Sequence, residues 1–422
     1  MFIRRVLFSL LFISTLISAQ VENSKQEMVY SFSPSFFIDV ANYKSVEAGK
    51  TKVDVFLQIP YSNLQFIKEG EIFKSKYSIS FVFYDENKEN IIFDKLWNQE
   101  LTANSFEETV SGKNFKYFYQ VFNLVPGKYV LRSEIIDKDS KKNGVTEAVI
   151  NVTTFTDKIN ISDLILVSGI INDRIVPNIS RYVTSEDTSF TFFYDLFSDT
   201  TKQISVEYLI KDKAEKEIYS DKSVLNVKKD KNRIFKTIHN CKFSIGEYIL
   251  TVKITDENNN IQKNMIKKFF SRVAGFPQSI VDLDKAVDQM MYIAGNDEMD
   301  FIEEAADYEE KLNRFKAYWK TKDPSPNNEE NEVFNEYYRR VAYANEKFKH
   351  YYDGWKTDMG MVYIILGPPS NVERHPFEYD SKPYEIWEYY SINKSFLFID
   401  ESGFGEYRLA NRTYGDWFRY RQ

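Results

Sequence analysis

Few residues in this chain are of the types that carry out catalysis or bind metals. There are three histidines, His239, His350 and His375, and one cysteine, Cys241. No HExxH or CxxC spacing is present. A zinc site at His350 and His375 would still need two further ligands from acidic residues. The sequence also lacks a GxSxG motif, a P-loop and a GxGxxG motif. We therefore predict no metal and no cofactor, and a single cysteine allows no intrachain disulfide.

Polar and aromatic residues occur together near the C-terminal end, in the GWKTD segment from Gly354 to Asp358. Threonine and aspartate side chains accept hydrogen bonds from backbone N–H groups, and a buried indole can anchor a chain reversal. We predict a structural turn built from Gly354, Trp355, Thr357 and Asp358. Asp358 would form an Asx-type turn, with Gly360 at a positive φ before a buried strand at Met361–Leu366. Alternatively, Thr357 and Asp358 would cap backbone donors.

Two functional alternatives use the same region. An enzyme site would need a cleft in which polar side chains converge. The candidates for that site are Asp358, Arg374, His375 and Glu385. A glycan- or peptide-binding site would instead need exposed aromatic rings. The candidates for that role are Trp355, Trp387 and Trp417, three of the five tryptophans. Exposure of the rings and convergence of the polar groups discriminate between these alternatives.

The GWKTD segment belongs to a longer series of sequence blocks. In order, the blocks are Arg340–Phe348, Gly354–Asp358, Gly360–Pro369, Pro383–Tyr390, Phe396–Asp400 and Gly403–Leu409. The series resembles the GWxTD domain over roughly residues 277–415. Met359 stands where that family usually has arginine, and Ser370 where it favours an acidic residue. The resemblance implies an exported bacterial protein and an α+β architecture rather than a particular reaction.

Helices and a small sheet must position these blocks. After Gly275-Phe276-Pro277 the apolar residues recur at helical spacing, which predicts a helix from about Leu283. A second, long helix would open at Asp300 and run to Trp319, and a third would carry Phe334 to Phe348. Residues 384–390 and 396–399 alternate like paired strands. We therefore predict that residues 277–422 form an α+β domain, with helices packed on a small antiparallel sheet.

The preceding part of the chain, from about Val29 to Phe270, consists of short segments with alternating apolar residues. β-branched and aromatic residues in this pattern predict half-buried strands, for example at residues 52–59, 77–84 and 205–210. Polar clusters between them, such as residues 256–260, predict turns. The run Gly127–Asp137 reappears as Gly246–Asp256, with Tyr129 and Tyr248 at matching positions. We predict two tandem immunoglobulin-like β-sandwiches, at residues 29–156 and 157–272.

The N-terminus and the overall charge complete the prediction. Arg4 and Arg5 precede an apolar run from Val6 to Ala19, which is typical of a signal peptide at residues 1–19; the alternative is an uncleaved anchor. No later stretch is long and apolar enough to span a bilayer. The net charge of −7 disfavours a nucleic-acid binder. We expect an exported protein of the periplasm or cell surface, without enzymatic activity, that binds or assembles envelope proteins.

Overall fold

The computed structural model describes residues 36–111, 114–171, 174–184, 187–256, 262–277, 279–325, 331–376 and 381–410. The predicted signal peptide, residues 257–260 of a predicted turn, and Trp417 lie outside this range. The described chain is mostly β-strand, in several sheets, with a smaller number of helices. It divides into two compact units. One unit contains Ile59–Lys116 and Tyr129–Val149, and the other contains Phe37–Gln58, Tyr117–Lys128 and the chain from Ile150 onward.

The strands are numbered in chain order. They are β1 (Phe37–Lys44), β2 (Thr51–Pro60), β3 (Ile67–Glu69), β4 (Ile72–Asp85), β5 (Ile91–Ala103), β6 (Phe115–Leu124), β7 (Gly127–Asp137), β8 (Asn143–Val152), β9 (Ile159–Ile161), β10 (Ile165–Ile171), β11 (Arg174–Pro177), β12 (Tyr182–Thr184), β13 (Ser189–Ser198), β14 (Lys202–Asp212), β15 (Glu217–Val227), β16 (Asp230–His239), β17 (Gly246–Asp256), β18 (Gln262–Arg272), β19 (Asn371–His375), β20 (Tyr384–Tyr389), β21 (Lys394–Asp400) and β22 (Tyr407–Leu409).

The helices are numbered in the same way. They are α1 (Phe106–Val110), α2 (Leu283–Asp288), α3 (Asn296–Glu303), α4 (Tyr308–Thr321), α5 (Glu332–Lys347) and α6 (Asp358–Leu366). Short 3-10 helices lie at Tyr61–Asn63, Gln289–Tyr292, Gly354–Lys356 and Tyr390–Ile392.

The first unit is built on the long strand β4. Strands β3, β4, β7 and β8 are hydrogen-bonded in that order, and β5 also pairs with β4. Tyr77, Ile79, Phe81 and Phe83 of β4 are buried, because alternate residues of a strand point to the same face. The strand predicted from this alternation is confirmed.

The second unit contains three further sheets in its β-rich part. Their strand orders are β1-β2-β6, β11-β10-β13-β16 with β9 also on β13, and β12-β18-β17-β14-β15. Strands β2 and β14 confirm the strands predicted at residues 52–59 and 205–210. One core contains Phe192 and Tyr194 of β13 together with Tyr208 of β14 and Leu250 of β17.

The same strand connectivity occurs twice along the chain. The order β1-β2-β6 corresponds to β10-β13-β16, and the pairs β5–β4, β4–β7 and β7–β8 correspond to β15–β14, β14–β17 and β17–β18. Tyr129 lies opposite Asp85 at the end of one ladder, and Tyr248 lies opposite Asp212 at the end of the other. Tyr248 is buried, whereas Tyr129 is half-buried.

Charged residues connect β1 to later parts of the second unit. Lys267 Nζ of β18 donates to both carboxylate oxygens of Asp39 at 2.7 Å, and both side chains are about nine-tenths buried. Asp163 accepts hydrogen bonds from the backbone and side-chain nitrogens of Asn42, each at 2.7 Å. Apolar side chains of β1 and β10, including Tyr43 and Ile165, pack together beside these pairs.

The C-terminal part of the second unit combines helices α2 to α6 with the sheet β19-β20-β21-β22. The predicted strands at residues 384–390 and 396–399 are confirmed, and they pair in antiparallel fashion. The prediction of one continuous helix from Asp300 to Trp319 is wrong. Asp307 accepts from Glu310 N–H, and Glu310 accepts from the N–H of Ala306, the residue before the N-cap. These two hydrogen bonds begin a new helix, α4.

Candidate functional site at the GWKTD segment

Two glycines allow unusually close backbone contacts around the GWKTD segment. A Cβ atom on Gly354 would lie 1.9 Å from the carbonyl oxygen of Ala344 in α5. A Cβ atom on Gly360 would lie 2.0 Å from the carbonyl oxygen of Gly354. No side chain fits at either position, so the sequence requires glycine where the Gly354–Lys356 turn lies against α5 and α6. Gly360 is helical, and the prediction of a positive φ there is wrong.

Trp355 is part of the core rather than the surface. Only 3% of the residue is exposed, and its ring packs edge-on to Tyr292 with the centroids 6.3 Å apart. Its backbone N–H donates to the side-chain oxygen of Asn345 at 3.1 Å, and its carbonyl accepts from the Tyr292 hydroxyl at 2.9 Å. The residue therefore joins α5 to the 3-10 helix that follows α2.

Thr357 and Asp358 begin helix α6. Thr357 Oγ1 accepts from Gly360 N–H at 2.9 Å and donates to the Gly354 carbonyl at 2.7 Å, so threonine is the N-cap. Asp358 is the first residue of the helix, where its negative charge complements the helix dipole. Its Oδ2 accepts from Leu409 N–H at 2.8 Å and so ties α6 to β22. The predicted Asx-type turn at Asp358 is wrong, because Gly360 N–H donates to Thr357 instead. The alternative, in which Thr357 and Asp358 accept hydrogen bonds from backbone donors, is confirmed.

The segment after the motif is a buried helix, so the predicted strand at Met361–Leu366 is wrong. All side chains from Met359 to Ile365 are buried, which removes the one-sided pattern that usually marks a helix. Helix α6 ends at Leu366, and Gly367 is its C-cap. Arg340 of α5 donates to the carbonyls of Ile364 and Ile365 at 3.1 and 3.2 Å, and so supplies the terminal carbonyls with a positively charged partner.

Arg374, Glu385 and Trp387 form a second cluster on β19 and β20. Arg374 Nε donates to Glu385 Oε1 at 3.1 Å, and the indole N–H of Trp387 donates to Glu385 Oε2 at 3.0 Å. Trp387 is only 2% exposed and its ring packs against Phe398. The carboxylate thus joins a surface arginine to a buried indole.

The two clusters lie at opposite edges of one sheet. Leu409, Phe398, Glu385 and Arg374 face one another in a row across β22, β21, β20 and β19. Three strand spacings separate Leu409, the backbone partner of Asp358, from Arg374, which is about 14 Å. The proposed catalytic group of Asp358, Arg374, His375 and Glu385 therefore does not converge. His375 stacks on Tyr384, with the ring centroids 4.3 Å apart.

A polar and aromatic surface lies beside the GWKTD segment. His350 Nε2 is 2.9 Å from the carbonyl oxygen of Phe404, and the His350 and Tyr351 rings are in contact. Tyr351 and Phe404 are 80% and 77% exposed. The Tyr352 hydroxyl donates to Glu406 at 2.7 Å, and this hydrogen bond is the main cause that lowers the pKa of Glu406 and raises that of Tyr352.

The loop carrying Phe404 is organised by one buried carboxylate. Asp400 accepts backbone hydrogen bonds from Ser402, Gly403 and Gly405, at 3.2, 2.8 and 2.6 Å. Burial alone would raise the pKa of Asp400, but these hydrogen bonds outweigh it and hold the pKa below its ordinary value. The loop that presents Phe404 is thus tied to β21.

Among the described residues, no group of three or more histidine, cysteine or acidic side chains is arranged to hold a metal ion. Cys241 is half-buried, and its thiol contacts the carbonyl of Ile238 at 3.5 Å. None of the described helices is both long enough and apolar enough to cross a membrane.

Sequence reasoning missed the partners that hold the motif in place. Arg340 and Asn345 lie in the Arg340–Phe348 block, where only the apolar stripe was used to predict a helix. The signal for Arg340 was a cation at helical spacing from Glu336, to which its Nε donates at 2.7 Å. No pattern in the sequence indicated that Tyr351 and Phe404, 53 positions apart, would carry exposed rings on the same surface.

No curated protein matches the sequence. Similar solved structures include a red sea bream transglutaminase (9% identity, TM-score 0.17), covering 56% of this chain and 31% of its own. A glycosyl hydrolase family 2 member from Bacteroides cellulosilyticus (7%, TM-score 0.20) covers 50% of this chain and 26% of its own. The match to dimeric latent PorU from Porphyromonas gingivalis (11% identity, TM-score 0.22) covers 56% of this chain and 20% of PorU.

This chain therefore spans less than a third of each of those structures. The comparison with protein families is more specific. Residues 274–411 match the family model described as the GWxTD domain. This range contains the GWKTD segment, helix α6 and the sheet β19-β20-β21-β22. The chain thus contains a GWxTD domain.

Proposed function

We propose that this protein is an exported, non-enzymatic component of the cell envelope, in which the GWxTD domain makes the specific contact with a partner protein. The observation that supports this proposal is how the motif side chains are used. Trp355 fills the core, Thr357 caps α6, and Asp358 holds β22 through a backbone hydrogen bond. A motif that stabilises its own domain in this way leaves partner recognition to the adjacent surface.

The surface beside the motif has the chemistry of a protein-binding site. Tyr351 and Phe404 expose their rings, and aromatic side chains are enriched at the centres of protein interfaces. His350 and Asp400 hold the two segments that carry these rings, through contacts with the backbone of the Phe404 loop. Preformed aromatic anchors lose little conformational entropy on binding, which favours a specific contact.

The experiment is capture of partners from envelope fractions with the full mature chain. Wild type is compared with a Tyr351→Ser/Phe404→Ser double variant, and captured proteins are quantified by mass spectrometry. Tyr390→Ser is the matched control, because Tyr390 is equally aromatic and 66% exposed but belongs to a different surface segment. We expect the double variant to lose at least one partner that the control retains. Equal capture by all three proteins would contradict the proposal.

Binding of a glycan or peptide is a second candidate, favoured by the exposed rings of Tyr351 and Phe404. The tryptophans that first suggested it do not support it, since Trp355 and Trp387 are buried and Trp417 lies outside the described residues. Isothermal titration with soluble envelope oligosaccharides would measure it. Saturable binding that is lost in the Tyr351→Ser/Phe404→Ser variant would favour this candidate over a protein partner.

We also propose that the β-rich part consists of two tandem immunoglobulin-like sandwiches, with domain boundaries near residues 156 and 272. The repeated strand connectivity supports this assignment. So does the Tyr248 hydroxyl, which donates to the Ser244 carbonyl at 3.0 Å, the bond made by the tyrosine corner of such domains. A crystal structure in which residues 36–156 and 157–272 do not superpose strand by strand would contradict it.

A further inference from the structure

Strand β6 is a sheet edge with an apolar exposed face. It is the terminal strand of the sheet β1-β2-β6 within the described chain. Its residues alternate between more buried and more exposed positions, and the exposed ones are Tyr117, Tyr119, Val121 and Asn123. Each of the first three is more than 40% exposed. The only charged residue of the strand is Lys116, at its beginning.

Other long terminal strands of this protein carry charges at exposed positions. Strand β16 occupies the position of β6 in the repeated connectivity and exposes Lys231 and Arg233. The corresponding exposed charges are Asp94 in β5, Glu147 in β8 and Lys222 in β15. Exposed charges on an edge strand discourage pairing with another chain, because a partner strand would have to bury or oppose them. Strand β6 lacks this protection over the stretch from Tyr117 to Leu124.

We propose that β6 pairs antiparallel with β6 of a second copy of this chain, so that two sheets join into one across a two-fold axis. The axis would pass through Tyr119. In this register Tyr119 lies opposite Tyr119 of the second copy, and Tyr117 lies opposite Val121. Aromatic pairs and aromatic–β-branched pairs are favourable across antiparallel strands.

The charges of the strand favour a second copy as the occupant. In the proposed register Lys116 faces Phe122 of the second copy, so no like charges meet. The neighbouring register of the same parity, centred on Gln120, would keep Tyr119 opposite Val121, but it would place Tyr117 opposite the polar Asn123 and lose the Tyr119–Tyr119 pair. The same operation on β16, centred on Arg233, would oppose that cation to its own copy. Self-pairing is thus chemically suited to β6 and unsuited to its counterpart.

The first test is the molar mass of the mature chain in solution, by sedimentation velocity over a concentration series. We expect a two-fold increase in mass as concentration rises, and its loss in Val121→Lys, which sets two lysines against the apolar row. Val224→Lys is the matched control, since Val224 is exposed on the terminal strand β15. Thermal melting verifies that both variants fold. A monomer at all concentrations, or a dimer that persists in Val121→Lys, overturns the proposal.

The second test fixes the register. Directly opposed residues place their Cβ atoms about 4.5–5.5 Å apart, near the distance that a disulfide spans. In a Cys241→Ala background, Tyr119→Cys should oxidise to a covalent dimer, visible on a non-reducing gel. Asn123→Cys should not, because its partner is residue 115. Equal cross-linking at both positions, or cross-linking at residue 123 alone, overturns the two-fold through Tyr119.

Discussion

Two regions hold distant parts of the chain together, but by different means. One is the GWKTD segment with its contacts to α5, α6 and β22, which we call the motif junction. The other is the ion pair between Asp39 of β1 and Lys267 of β18, which we call the β1–β18 junction. At the motif, glycine lets backbones approach closely, and neutral or backbone-directed hydrogen bonds satisfy the helix ends. At β1, the buried ion pair of Asp39 with Lys267 connects the strands. The first arrangement depends on shape, and the second depends on two charges being present together.

This difference leads to different responses to substitution. A close backbone contact cannot be restored by any second change, because the obstacle is the Cβ atom itself. A buried ion pair costs much desolvation, so removing both partners is tolerated far better than removing one. The variants below test that contrast, beginning with the largest expected effect.

Gly354→Ala should prevent the GWxTD domain from folding. The new Cβ would overlap the Ala344 carbonyl, and we expect a loss of more than about 4 kcal/mol, since backbone atoms of α5 cannot move aside cheaply. Near-ultraviolet circular dichroism and thermal melting measure it. Gly403→Ala is the control, because that glycine has φ of +73° but no atom within 4 Å of a Cβ. A normal melt for Gly354→Ala would mean that the close contact is not rigid.

Trp355→Ala should destabilise the same domain by about 3–5 kcal/mol, the usual range for removing a buried aromatic side chain. Chemical denaturation monitored by the remaining tryptophans gives the free energy of unfolding. Tyr351→Ala is a suitable comparison, since that neighbouring ring is largely exposed. Equal stability of the two variants would show that the indole does not anchor the turn.

Lys267→Met should cost about 3–5 kcal/mol, because it leaves Asp39 buried without its partner. The double variant Asp39→Leu/Lys267→Met should recover most of that loss. A double-mutant cycle from denaturant unfolding measures the coupling between the two residues. If the double variant is as unstable as Lys267→Met alone, the β1–β18 junction depends on the shape of its side chains, as the motif junction does, rather than on the pairing of two charges.

Acid should lower the stability of the folded protein by protonating Asp195 of β13. Burial opposes ionisation of this carboxyl, but hydrogen bonds from Arg233 and Lys231 outweigh burial and lower its pKa in the folded protein. A lowered folded-state pKa contributes stability above the unfolded value of about 4, and that stability is lost as the pH falls through the folded value. As the pH is lowered, the melting temperature should fall less steeply in Asp195→Asn than in wild type. Identical slopes would contradict this assignment.

Asp358→Asn should have the smallest effect, about 1 kcal/mol. Asparagine retains an acceptor oxygen for Leu409 N–H but loses the charge at the start of α6. Thermal melting and partner capture are measured on the same preparation. If the variant melts like wild type yet no longer captures its partner, Asp358 is a recognition residue rather than a structural one.

The strands were predictable because alternation is a local signal, and the repeat around Tyr129 and Tyr248 gave matching ladder positions. Helix α6 was not, because a short, fully apolar run such as Met361–Leu366 has no period that separates strand from helix. Thr357 immediately before an acidic residue was the available signal for a helix start. The break at Asp307 was also legible, as an aspartate followed three residues later by glutamate, but the apolar stripe continued through it.

The arrangement of the site was less predictable than its elements. The position of Trp355 at a chain reversal favoured a buried ring, but the sequence left an exposed ring open as the alternative. The partners Asn345 and Tyr292 depend on how three helices pack. The separation of Asp358 from Arg374 depends on the strand order β19-β20-β21-β22, which no spacing in the sequence encodes. Only the local pair Arg374–Glu385 follows from adjacent strands in register.

The Asp39–Lys267 pair also bears on how the chain folds. Its two residues are 228 positions apart. Asp39 of β1, the earliest strand described, therefore has no Lys267 to pair with until β18 has been synthesised. Forming such a contact closes a very long loop, and folding slows as contacts become less local. A chain emerging N-terminus first would keep β1 without its charge partner until more than half of the sequence had appeared. During that interval the carboxylate of Asp39 has to stay hydrated, because an unpaired carboxylate is costly to bury.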